Sequence, residues 1–166
     1  GYLQAPDIFA KSKAVYTTTG SSVNDYRAVQ NTYRQTGDQL DVRKMVAQNA
    51  THINSASGEA EAVPTTRRSY SQYRQNYIIY RLTDVMLMKA EALTALATGD
   101  EDVEHLRTAF NIVKAVNIRS KDAESDSLKW NTYSGGVSVM ENLVMAERLR
   151  ELAFEGKRWY DLMRYN

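Results

Sequence analysis

From Tyr77 onward the apolar residues fall at spacings of three, four and seven, and no other feature restricts the fold as tightly. In "YIIYRLTDVMLMKAEALTALATGD" the residues Leu82, Val85, Met86, Leu93 and Leu96 keep this period until Gly99 interrupts it. That spacing predicts an amphipathic helix over about 79–97. After a turn at Thr98 to Glu101, the residues Val103, Leu106, Phe110, Val113 and Val116 repeat the pattern to about Asn117. So short a connection predicts an antiparallel helix hairpin. A polar loop, "RSKDAESDSLKWNTYSGG", separates the pair from a third helix over about 137–155, with Gly156 as its C-terminal cap. Trp159, Leu162 and Met163 predict one more short helix.

Residues 1–76 have a different texture. They are rich in Ser, Thr, Asn, Gln, Gly and Tyr without a sustained period, which predicts a loop-rich segment with short helical or extended pieces. The expected organisation is therefore a loop-rich 1–76 and a helical scaffold over 77–166. The fold class is mainly α, with tetratricopeptide-like antiparallel helix pairs and long loops. No clean 34-residue self-similarity supports a regular repeat array.

Composition narrows the function classes. A 166-residue chain with 43% hydrophobic and 25% charged residues suits one ordinary globular domain. A net charge of +1 offers no basic face for a nucleic acid. No apolar run reaches the roughly 18 residues of a bilayer span. The chain contains no cysteine, so disulfides, thiol nucleophiles and thiolate metal sites are ruled out for these residues. The histidines, His52 in a polar loop and His105 on a helix, have no nearby cluster of carboxylates at ligand spacing, so neither metal nor cofactor is expected. No phosphate-cradling glycine loop or nucleophile elbow is present, and no catalytic residue can be assigned.

Lys89 lies on the stripe of Leu82, Val85, Met86 and Leu93. It could be a buried lysine of lowered pKa, or its methylenes could lie along an apolar face while the ammonium reaches water; the second is expected.

The segment "ERLRELAFEGKRWYDLMR", Glu147 to Arg164, carries nine charges among its eighteen residues. At about 100° per residue, Glu147 and Glu151 fall within the sector of Met140, Leu143, Val144 and Phe154. Apolar residues on the other flank predict a helix sandwiched between neighbours. Carboxylates on a buried face need cationic partners. A structural network of Glu147 and Glu151 with arginines is expected, Arg158 first, with Arg81, Arg119 and Arg164 as further candidates. Arg148 and Arg150 project away from that sector.

"YRLTDVMLMKAEAL", "AFNIVKAVNIRS" and "MAERLRELAFEGKRWYDLMR" together resemble the C-terminal portion of the SusD/RagB family of Bacteroidetes outer-membrane lipoproteins. The first match runs through Arg81, Asp84, Leu87, Met88, Ala90, Glu91 and Ala92. The second includes Glu147, Arg148, Glu151, Leu152, Phe154, Glu155, Gly156, Arg158, Asp161, Leu162 and Arg164. "DVR" at Asp41 to Arg43 is similar to a shorter family element. The resemblance implies a SusD-like α/α superhelix of which this chain is a fragment. It also implies non-catalytic capture of glycans or other nutrients at the outer membrane's extracellular face. The implied partner is a SusC-like TonB-dependent transporter, and a lipid anchor lies outside these residues.

Sugars are bound by aromatic faces together with polar side chains aimed at hydroxyls. The candidate ligand residues are Tyr16, Tyr26 and Tyr33, near Asn24, Asn31 and Gln35, and a second platform of Trp130 and Tyr133. A helix-repeat protein-interaction module and a carboxylate-dependent glycosidase are the alternative function classes.

Overall fold

The computed structural model describes residues 25, 27, 32–34, 40–42, 52–54, 59–61, 78–121 and 127–165. The chain divides into two compact units, Gly1–Ile78 and Ile79–Asn166.

In the first unit, β1 (Thr32–Arg34) pairs antiparallel with β2 (Leu40–Val42), setting Tyr33 opposite Asp41. A second ladder joins β3 (His52–Asn54) to β4 (Glu59–Glu61), with Ile53 opposite Ala60. His52, read from sequence as part of a polar loop, therefore starts a strand. Asp25 and Arg27 are buried together. Asp25 Oδ1 accepts hydrogen bonds from the Arg27 backbone N–H at 3.0 Å and Nε at 2.9 Å, and Oδ2 accepts from Nη2 at 2.7 Å.

The second unit is helical: α1 (Leu82–Leu96), α2 (Val103–Ile118), the one-turn α3 (Trp130–Tyr133), α4 (Val137–Glu151) and α5 (Arg158–Tyr165). Helices α1, α2 and α4 pack on one another around Leu87, Ala90, Leu106, Phe110, Val113, Met140 and Val144. No helix among the described residues is long and apolar enough to cross a membrane.

The face that α1 buries differs from the expected stripe. Leu82, Val85 and Leu96 are exposed, whereas Thr83, Asp84, Leu87, Ala90 and Thr94 are buried. The buried face combines Leu87 with the small residues Ala90 and Thr94 and with the paired Asp84. Thr94 satisfies its own hydroxyl by donating to the Ala90 carbonyl at 2.9 Å. Lys89, on the outer face, is exposed, so its ammonium meets water.

Helix α4 ends at Glu151 rather than Glu155, and Leu152 is its C-cap. Phe154 (φ 65°) and Gly156 (φ 73°) then reverse the chain within a turn, so Gly156 serves the turn and not the helix end. The same reversal carries Phe154 out of the expected buried sector, leaving it half exposed. Residues 130–133, expected as loop, close one helical turn.

Two caps fix the ends of the hairpin. The Asp102 side chain accepts from the His105 backbone N–H at 3.2 Å and from Thr98 N–H at 3.1 Å, and it also meets His105 Nδ1 at 3.0 Å. Asp100 reaches across to α4, where its Oδ1 accepts from Val137 N–H at 2.8 Å. Gly136 makes this approach possible, since at φ 102° a Cβ there would fall on the Asp100 carboxylate. Gly136→Ala should therefore destabilise the unit by more than about 1 kcal/mol, read as a lower urea midpoint at unchanged m-value.

Hydrogen bonding from Thr98 N–H, then from His105, lowers the Asp102 pKa from 3.8 to about 2. A depressed carboxylate pKa means that this stabilisation is complete above pH 3.8 and is lost as pH falls through 2. The α2 N-terminus should loosen over that window. Asp102→Ala should abolish that acid dependence in amide exchange at His105.

Candidate functional site

Helix α4 is enclosed on most of its circumference, and its charged residues build the interior of the second unit. Glu147 is fully buried. Its Oε2 accepts from Arg150 Nη2 at 2.7 Å, Arg150 Nε at 2.9 Å and Asn117 Nδ2 at 3.0 Å. One turn on, Glu151 Oε1 accepts from Arg81 Nη1 at 2.7 Å and Arg119 Nη2 at 3.1 Å. Arg81 also donates to Glu155 and to the Glu151 carbonyl, bridging the start of α1 to the end of α4. Burial works against the Arg81 charge, but hydrogen bonds to Glu155 and Glu151 outweigh it and raise its pKa.

The partners differ from those the helical projection selected. Arg150 is buried and grips Glu147 across one turn, although it was expected to face away. Arg148, expected to point away from that sector, meets neither glutamate and is buried between Asp84 and Asp161. Among the described residues Arg158 makes no ion pair with either glutamate, and its buried Nη1 has no hydrogen-bond partner. The chain reverses at Phe154 and Gly156, and beyond that turn α5 meets α4 through Asp161 and Arg148 and α1 through Arg164 and Glu91. Arg164 meets Glu91 and Asp161.

Arg148 Nη2 donates to Asp161 Oδ1 at 2.8 Å, while Nη1 lies 3.3 Å from Asp84 Oδ1, close enough for an ion pair but off the hydrogen-bonding line. Lys157 Nζ sits 3.4 Å from Asp84 Oδ2. This cluster matches cations with anions in a dry setting, which fixes helix positions but presents no reactive group to solvent.

The aromatic platform lies elsewhere. Trp130 and Tyr133 pack on the core through Phe110: the Trp130 and Phe110 rings meet edge to face, 5.3 Å apart at 73°, and Tyr133 tilts against Phe110 at 6.2 Å. Arg107, exposed on α2, places its guanidinium 5.3 Å from the Trp130 centroid. Trp130 is half-buried, and the next two residues in the chain, Asn131 and Thr132, are exposed. Tyr16 and Tyr26, with Asn24, Asn31 and Gln35, lie outside the described residues, as does the Tyr33 side chain. Among the described residues no group of His, Cys, Asp and Glu could hold a metal ion.

Sequence reasoning missed the Asp25–Arg27 and Arg148–Asp161 pairs. The first was legible as an Asp-x-Arg spacing. The second needed the turn that brings α5 back.

A double-mutant cycle discriminates these pairings. Arg81→Met with Glu151→Gln should show a coupling of about 1–3 kcal/mol in urea denaturation, whereas Arg158→Leu with Glu147→Gln should be additive within about 0.5 kcal/mol.

The sequence profile of the SusD family matches residues 6–166. Two Formosa agariphila proteins are similar. SusD-like protein P2 is 33% identical over 90 residues, which is 54% of this chain and 17% of that protein. SusD-like protein P38 is 32% identical over 102 residues, again with 17% of that protein covered. The matched stretch thus spans under a fifth of either relative. No solved structure gives a significant match. With the profile aligned from the loop-rich segment through α5, the chain belongs to the SusD family.

Proposed function

We propose that this chain is part of a surface protein that captures glycans or other nutrients without cleaving them, and that passes them to a SusC-like TonB-dependent transporter. The observation that carries this reading is the family match over residues 6–166. The full-length protein would be lipid-anchored on the extracellular face of the outer membrane.

The chemistry of the second unit is compatible with binding. Its buried carboxylates are engaged by arginines, and its half-buried Trp130 is bordered by the exposed Arg107 guanidinium. An indole face with such a neighbour suits the C–H surface and hydroxyls of a sugar ring. We assign Trp130 and Tyr133 to ligand contact, together with Tyr16, Tyr26 and Tyr33 from the loop-rich segment. A sugar stacking on the Trp130 face would displace Arg107, whose exposed side chain can move aside at little cost.

A glycan array paired with a reducing-sugar assay tests the proposal. Binding without product is expected. Trp130→Ala should weaken affinity for the best glycan several-fold, by the loss of about 1 kcal/mol of aromatic contact. Arg107→Ala should alter that affinity while leaving the melting temperature unchanged. Product release lost on a single carboxylate substitution would instead identify a hydrolase.

A further inference from the structure

Helix α5 is inverted. An amphipathic helix on a globular unit normally buries its apolar stripe and turns its charges to water. Here Asp161 is the buried residue of the helix, 2% exposed, whereas Trp159, Leu162 and Met163 are 68%, 43% and 57% exposed. The apolar core draws on α1, α2, Leu128 and α4, and no buried member comes from α5.

Polar contacts hold the helix in place. Asp161 accepts from Arg148 on α4 at 2.8 Å, and Arg164 donates to Glu91 on α1 at 2.9 Å. Lys157, just before the helix, donates to the Ile79 carbonyl at 2.6 Å, lies 3.4 Å from Asp84 on α1 and stands 4.1 Å over the Tyr80 ring.

We propose that α5 is a charge-latched helix, docked by Asp161, Arg164 and Lys157, which opens as a unit while the α1–α2–α4 core stays folded. Two features of the cluster support this. Lifting α5 withdraws no member of the buried apolar cluster, so the core keeps its packing. Moreover, Asp84 remains beside Arg148 when Asp161 leaves, so opening does not strand a lone buried cation. Segments that detach in this way exchange their amides independently of the core.

Hydrogen exchange on the whole chain tests the latch. Asp161 also favours the first turn of α5 by its charge, so Arg164→Ala, at the other end of the helix, is measured beside Asp161→Ala, and loss of protection in both reports lost docking. In Asp161→Ala the α5 amides should exchange about tenfold faster or more, given the strength of hydrogen bonds to charged groups, with α1 and α2 unchanged. The paired substitution Leu162→Ser and Met163→Ser should leave α5 protection within about twofold, since those side chains are exposed. Two results would overturn the proposal: equal loss of α5 protection in the serine variant, or α2 and α5 changing together in Asp161→Ala.

Discussion

Arg148 sits at the point where three helices meet, and the arrangement of the second unit depends on the charge it carries. Its side chain is 3% exposed and lies between Asp84 of α1 and Asp161 of α5. A cation this dry would be strongly unfavourable without compensating carboxylates, so the positions of both neighbouring helices follow from it. Glu147 and Glu151 impose the same demand from α4, and Arg150, Asn117, Arg81 and Arg119 answer it. The interior is thus partly ionic, and its registry is set by matched charges as much as by packed methyl groups.

This explains why α1 sits with Leu82 and Val85 outward. Rotating the helix to bury them would break the ion pairs of Asp84 with Arg148 and Lys157. The same balance accounts for α5, whose inner face is charged because its seat is charged. Small residues complete the fit, as Ala90 and Ala109, both 0% exposed, let α1 and α2 close on each other.

Ligand recognition, on the reading proposed here, is separated from this machinery. The conspicuous run "ERLRELAFEGKRWYDLMR" has the density of charge expected of a site, but its acids are engaged inside the unit. Trp130, by contrast, belongs to a polar stretch with little periodicity, and the one-turn helix α3 brings it beside Arg107 and Phe110. A signature that identifies a family need not mark where its members meet a ligand, because a shared scaffold and a variable surface answer to different constraints.

What the sequence determined by itself was local. Spacings of three and four placed α1, α2 and α4 within a few residues of their observed bounds, and the projection put Glu147 and Glu151 on a buried face, because helical periodicity is written residue by residue. Which arginine meets which glutamate was decided only in three dimensions. The turn through Phe154 and Gly156 rotates everything beyond it, so Arg158, adjacent in sequence, misses both acids, while Arg81, some seventy positions away, reaches Glu151. Helical spacing fixes direction about one axis alone; the pairing of charges depends on how several axes are set against one another.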